Sequence, residues 1–229
     1  MTDSAKYQNL EYLPSYGRKQ TRPLTQKLKA AYDKLPQCKI TCEQVKNIKQ
    51  LSKNYNSVEL EIGFGNGEHL AHLAVSNKSS YIIGSEIFIN GIAHAVYNIS
   101  KNNLDNVRIY DNDCRKLLKA MPDGSLDKIY ILFPDPWPKE RHHKRRIINK
   151  FMLNLMQRKL KQGGVVRFAS DIEDYYNSAT EKFQQDRRYI QTLNSKEKYQ
   201  IPEGHIKTKY QAKAEKEKRT PHFFEFKKL

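Results

Sequence analysis

No stretch of the 229-residue chain approaches the ~18 consecutive apolar residues of a membrane-spanning helix, and the N-terminus lacks the apolar core of a secretory leader. Cysteine is scarce: Cys38, Cys42 and Cys114 make an odd count without a disulfide framework. Cys38 and Cys42 have no second ligand pair at zinc spacing, so no metal site is expected. There is no Gly-x-Ser-x-Gly elbow and no credible cysteine nucleophile, so covalent catalysis is not suggested. Acids are in short supply, 25 Asp and Glu against 41 Lys and Arg, which leaves a net charge of +16. A reducing, cytoplasmic setting is the expectation. The charge excess favours a polyanionic partner, through contacts that weaken with salt.

What the chain does have is an alternation of strand and helix patterns across residues 58–183. Val58-Glu59-Leu60-Glu61-Ile62 alternates apolar and acidic residues and runs into Gly63-Phe64-Gly65-Asn66-Gly67, after which Leu70, Leu73 and Ala74 recur at helical spacing. Residues 81–86 and 107–110 read as further strands, with a helix between them marked by Ile89, Ile92, Ala93 and Val96. A turn at Pro122-Asp123-Gly124-Ser125 leads to a fourth strand over 128–133. Ile147, Ile148, Phe151, Met152, Leu155 and Met156 predict a helix closed by Gly163-Gly164, and a fifth strand follows over 165–169. A helix is expected near 175–183, a mobile loop over 195–220 and a last strand at 222–226. Short helices are expected over 25–35 and 43–52. Such alternation predicts a mainly parallel, doubly wound α/β sheet, with ligands beyond the carboxyl ends of its strands. Residues 1–26 read as a basic surface arm and 27–229 as one domain.

Three acids and three glycines suggest a nucleoside pocket. Gly63, Gly65 and Gly67 let backbone approach a ligand at the start of a helix. A dinucleotide turn would carry its third glycine at position 68, but that residue is Glu68, which disfavours a nicotinamide cofactor. Glu68, an acid just inside the turn, suits a ligand with a cationic head, such as the ammonium and sulfonium of S-adenosylmethionine. Glu86, at the end of the second strand, is placed for ribose hydroxyls. Asp113, with Asp111 as competing candidate, is placed for an adenine amine.

The fourth strand delivers the chain to Leu132-Phe133-Pro134-Asp135-Pro136-Trp137-Pro138-Lys139, followed by Glu140-Arg141-His142-His143-Lys144-Arg145-Arg146. Asp135, fixed between prolines, lies where a methyl acceptor would sit. Lys139, Arg141, Lys144, Arg145 and Arg146 read as phosphate contacts, with His142 and His143 part of the same surface. Trp137, the only tryptophan, either packs the loop or stacks on RNA. His69 and His72 share a helix face but lack a third metal ligand, so they read as surface or packing residues.

The glycine turn from Leu60, the segment Phe133 to Lys139 and the run Arg141 to Arg146 together closely resemble the bacterial tRNA (guanine-N7-)-methyltransferase family. The resemblance implies a class I methyltransferase (Rossmann-like) fold, S-adenosylmethionine as donor, and methylation at N7 of guanosine 46 in the tRNA variable loop. It further implies that Glu61, Glu86 and Asp113 bind the donor and that Asp135 lies at the donor–acceptor junction. Lys139, Asp171 and the segment Thr208, Lys209, Tyr210 and Gln211 would bind the substrate. The chain departs from the pattern at Gln211, where the family has Glu.

Overall fold

The computed structural model of the chain describes residue 17, residues 19–20, 22–196 and 201–229, and only the backbone of Tyr210. Most of the expected basic arm, including Tyr16 and Arg18, lies outside the described residues. Among the described residues four short helices come first: α1 (Gln26–Tyr32), α2 (Leu35–Cys38), α3 (Cys42–Val45) and α4 (Ile48–Leu51). The region expected as one helix over 43–52 is thus split between α3 and α4. Thr41 starts α3 with a capping box, its hydroxyl accepting from the Gln44 amide while the Gln44 side chain accepts from the Thr41 amide.

The body then runs β1 (Ser57–Ile62), α5 (Glu68–Ser76), β2 (Ser80–Ser85), α6 (Ile89–Lys101), β3 (Val107–Tyr110), α7 (Cys114–Ala120) and β4 (Leu126–Leu132). A 3-10 turn at Glu140–Arg145 precedes α8 (Lys150–Lys159), β5 (Leu160–Ser170), α9 (Glu173–Gln184), β6 (Tyr189–Asn194), α10 (Lys209–Lys216) and β7 (His222–Lys228). The strands form one seven-stranded sheet in the order β3-β2-β1-β4-β5-β7-β6. All pairings are parallel except those of β7, which runs against both neighbours. Strand order reverses between β1 and β4. This switch point opens a crevice above the strand ends, where open α/β sheets take ligands.

Side chains alternate across a strand, and the two faces of this sheet differ. On one, Leu60, Ile129, Ile131, Val166, Phe168, Phe224 and Phe226 pack with Met152, Met156, Tyr175, Ala179 and Phe183 of α8 and α9. On the other, Ile82, Val107 and Ile109 meet Leu70, Ala74, Ile92 and Val96 of α5 and α6.

Three expectations are corrected. The glycines at 163–164 do not end α8, which stops at Lys159; they lie inside β5, where Gly163 has φ +77°. Ile147 and Ile148 precede α8, because Asn149 caps it by accepting from the Met152 amide at 3.0 Å. The expected loop over 195–220 contains α10, whose N-cap is Thr208.

Candidate active site

The glycine turn joins β1 to α5 through three left-handed residues, Gly63 (φ +72°), Gly65 (φ +56°) and Gly67 (φ +71°). At Gly67 the requirement is double: a Cβ would also come within 2.6 Å of the Ala95 Cβ on α6. At Gly63 the same test finds open space, so that position faces the crevice. A small, open cleft lies here, lined by Glu61, Gly63, Phe64, Asn66, Glu68, His69, Leu132 and Thr208.

Glu61, at the end of β1, is buried and paired with His69 Nδ1 at 3.1 Å. His69, expected as a surface or packing residue, is therefore part of the site's floor, buried against the Tyr130 ring. The signal for it was the distance along the chain: a strand end, a five-residue turn and one helical step bring position 69 back beneath position 61.

Glu86 follows β2 and accepts three backbone N–H groups, from Gly65 (2.9 Å), Ile87 (2.8 Å) and Phe88 (3.1 Å). Burial pushes its carboxyl above the ordinary glutamate value, the three amides oppose that, and the nearby negative charge of Asp135 adds to the rise. Glu86 and Asp135 thus sense each other across the crevice. Asp113 caps α7, accepting from the Arg115 amide at 2.9 Å, and the Arg115 guanidinium grips its carboxylate. Burial raises this acid, but the Arg115 bonds outweigh burial and hold it below the ordinary aspartate value. Asp111, the competing candidate, is paired with Lys39 at 2.7 Å.

Asp135 is exposed at the tip of the loop after β4. Left-handed non-glycine residues, Phe133 (φ +52°) and Trp137 (φ +45°), stand two places to either side of it. Each costs of order 1–3 kcal/mol and must be held by its surroundings. Phe133 donates its amide to Ala169 O at 2.8 Å and sets its ring edge-on to Phe223. Trp137 packs edge-on with His142 and under the Arg145 guanidinium, 4.9 Å from the ring centroid. Of the two readings of Trp137, loop packing is the one these contacts support.

The basic strip divides. Lys139, Arg141 and Lys144 are exposed, and Arg145 is half-buried over Trp137. Arg146, expected on a phosphate, points inward instead. It is 3% exposed, donates Nε to Pro136 O at 2.9 Å, pairs with Asp174 at 2.5 Å and lies over the Tyr175 ring. Its guanidinium pins the Asp135 loop from below.

Asp171, just past β5, is held by Arg219 Nε at 2.6 Å. Thr208 is buried and accepts from the Gln211 amide at 3.2 Å. Lys209 has an exposed side chain, while its amide donates to Glu68 Oε2 at 2.8 Å. The Tyr210 side chain lies outside the described residues. Gln211 departs from the expected substrate contact: it is 3% exposed, its Oε1 meets His205 Nε2 at 2.7 Å, and its Nε2 donates to Glu215 at 3.1 Å. Burial depresses the His205 pKa to about 4, against the opposing Gln211 bond. A neutral imidazole and a neutral amide are therefore matched, and both ends of the amide are occupied inside the protein. Among the described residues no cluster of His, Cys, Asp and Glu could hold a metal ion, and no helix is long and apolar enough to cross a membrane.

Comparison with known proteins adds the following. Residues 55–224 match the family described as "Putative methyltransferase". The tRNA (guanine-N(7)-)-methyltransferase of Caulobacter vibrioides is 37% identical over 202 residues, covering 88% of this chain and 89% of that protein. The protein of the same name from Agrobacterium fabrum is 38% identical over 216 residues, covering 92% and 93%. An rRNA methylase structure from Streptococcus thermophilus superposes with a TM-score of 0.53 at 13% identity, over 91% of this chain and 99% of that one. At that identity the likeness concerns the fold, which is the Rossmann-like fold of class I methyltransferases.

Proposed function

Because the chain belongs to the tRNA (guanine-N(7)-)-methyltransferase family, we propose that it methylates N7 of guanosine 46 in the variable loop of tRNA, with residues 27–229 acting as one catalytic domain. S-adenosylmethionine is the cofactor that this membership implies. The residues of the crevice fit it. Glu61 and Glu86 front the glycine turn, and the lining of the cleft contains no lysine or arginine that would mark a phosphate cradle. Bound there, the donor supplies an electrophilic methyl group on a sulfonium centre. Glu61, Glu86 and Asp113, with the backbone of Gly63, Gly65 and Gly67, hold it. Asp113 contributes with the lone pairs that Arg115 leaves.

Guanine N7 carries an in-plane lone pair and no proton, so the reaction is a direct displacement that asks no general base of the protein. What remains is alignment and charge. Positioning alone supplies ~7–11 kcal/mol in favourable cases. The product purine is cationic, and Asp135, whose loop is braced at Phe133, Trp137 and Arg146, orients the base and stabilises the developing charge. Lys139, Asp171, Thr208 and Lys209 meet the tRNA around the target, while Arg141, Lys144 and Arg145 take phosphates. Gln211 supports Thr208 from within.

The observation that carries this reading is the rigid presentation of an exposed acid beside both the carboxylate-fronted glycine turn and the basic strip. The test is methyl transfer from labelled donor to unmodified tRNA, followed by chain cleavage at N7-methylguanosine. Label at the variable-loop guanosine is expected. Label in another nucleoside, or donor binding without turnover on any tRNA, would overturn it.

A further inference from the structure

In a sheet covered on both faces by helices, strands are ordinarily apolar on both sides. Here the face turned toward α5 and α10 carries a transverse row of polar side chains, set by the strand registers. Glu59 lies beside Lys128, Glu61 beside Tyr130, Tyr130 beside Arg167, and Arg167 beside Glu225. Its members pair with one another. Tyr130 donates its hydroxyl to Glu59 at 2.7 Å, Arg167 Nε donates to Glu225 at 2.7 Å, and Lys128 stands 3.4 Å from the same Glu225. Arg167 is 4% exposed and its guanidinium lies 5.6 Å from the Tyr130 ring centroid.

What covers this row is the segment 201–217, which ends in α10. Among its described side chains Pro202, Thr208, Gln211 and Ala214 are the buried ones, a small apolar contribution. The segment is instead pinned by polar contacts. Both terminal nitrogens of Arg167 donate to the Glu203 carbonyl at 3.2 Å, and Glu68 accepts the Lys209 amide at 2.8 Å. The His205 ring lies 4.7 Å from Phe223 and 5.9 Å from His69. Of these pins, Arg167 alone ties the segment to the central sheet through a charged side chain that is itself fixed on two sides.

We infer that Arg167 is a positioning residue for the tRNA substrate: held by Glu225 and Tyr130, its guanidinium fork grips the Glu203 carbonyl, seats the segment 201–217 on the sheet, and so sets Thr208 and Lys209 at the rim of the donor cleft. The inference rests on the reading that Thr208 and Lys209 meet the tRNA. It requires the segment to be coupled to the sheet at Arg167 rather than by a hydrophobic seat.

The test compares wild type, Arg167→Met and Arg167→Lys in the full chain. Methionine keeps the apolar stem over Tyr130, and Glu225 keeps Lys128 as a partner, so the sheet is not left with an unpaired acid. Three quantities are read: hydrogen exchange of the α10 amides, the dissociation constant of S-adenosylhomocysteine by calorimetry, and KM for tRNA. For Arg167→Met, faster exchange confined to residues 203–216 is expected, with a tRNA KM raised about tenfold, the scale of one lost charge-assisted hydrogen bond. The donor-product constant should change by less than about twofold. Arg167→Lys, which keeps the charge without the fork, should fall between, and decides the matter by the same exchange measurement if the methionine variant does not fold. Unchanged α10 exchange in both variants, or parallel loss of tRNA and S-adenosylhomocysteine binding, would overturn the inference. A wild type that bound S-adenosylhomocysteine but methylated no tRNA would sink the proposed function, while the exchange comparison would still judge the coupling at Arg167.

Discussion

Replacing Arg146 by methionine separates two jobs that a basic residue in this strip could hold. The substitution keeps the buried stem and removes the guanidinium, with its bond to Pro136 O, its pairing with Asp174 and His143, and its place over Tyr175. The bond to Pro136 involves a charged donor and is worth roughly 1.5–3 kcal/mol. The cation–π contact adds about 0.5–2 kcal/mol. Asp174 is largely exposed, so its pairing contributes less than about 1 kcal/mol after screening. The sum is about 2–6 kcal/mol, and at ~2–4 °C per kcal/mol for a chain of this size the midpoint of thermal unfolding should fall by roughly 4–24 °C. Turnover should fall too, because the Asp135 loop loses its lower anchor. The dependence of tRNA affinity on salt should keep its slope, since no phosphate contact is lost. Lys144→Glu should behave in the opposite way: stability near wild type and a shallower salt dependence, by about one unit of slope per contact. If Arg146→Met left the unfolding midpoint in place and flattened the salt dependence as Lys144→Glu does, the inward assignment of Arg146 would be wrong.

Asp135→Asn should lower kcat about tenfold or more with saturating donor and tRNA, without a new pH dependence, since no proton is abstracted; full turnover would exclude its charge from the reaction. Glu86 binds its proton more tightly in the folded than in the unfolded chain. Folding stability should therefore rise as pH falls through the window between the ordinary glutamate value and the raised one. Glu86→Gln should remove that rise and, because its amide nitrogen cannot accept the backbone N–H that one carboxylate oxygen now takes, cost stability at pH 7 while weakening donor binding about tenfold; calorimetry and denaturant titrations across pH read both. Gly67→Ala combines a left-handed φ with a Cβ at 2.6 Å from Ala95 and should destabilise by about 2–5 kcal/mol in denaturant unfolding, whereas Gly63→Ala, with open space around its Cβ, should cost only about 1–2 kcal/mol.

Legibility followed periodicity. The step from β1 through the glycine turn to α5 could be read because the apolar period changes there from two to three or four, with the left-handed turn marked by glycine. The boundaries of β3 were legible because Val107 and Tyr110 are flanked by turn residues. By contrast, α10 was read as loop: among the described side chains of the helix and its cap Thr208, Gln211 and Ala214 are buried, and they make no apolar stripe. Its one sequence sign was the Thr-x-x-Gln pattern of a helix start. The charge run at 139–146 could not reveal that Arg146 turns inward, because a run records charge and not direction. The same holds for Arg167, whose place is fixed by two neighbouring strands and the Glu203 carbonyl, all distant in sequence. Gln211 stood out in the sequence as a departure from a carboxylate, but its matching neutral partner, His205, became visible only when the chain closed on itself.

The prolines around Asp135 have a further consequence. Pro134, Pro136 and Pro138 recur with the same two-residue period as a strand, and each removes an amide that an extended chain would offer on one side. β4 ends at Leu132, and although Phe133 still donates to Ala169 on β5, beyond it the prolines leave no regular set of donors on the opposite side, toward β1. The residues that hold the acid in place thus also cap the growth of the sheet. They also keep the stretch past β4 from offering a template for self-association.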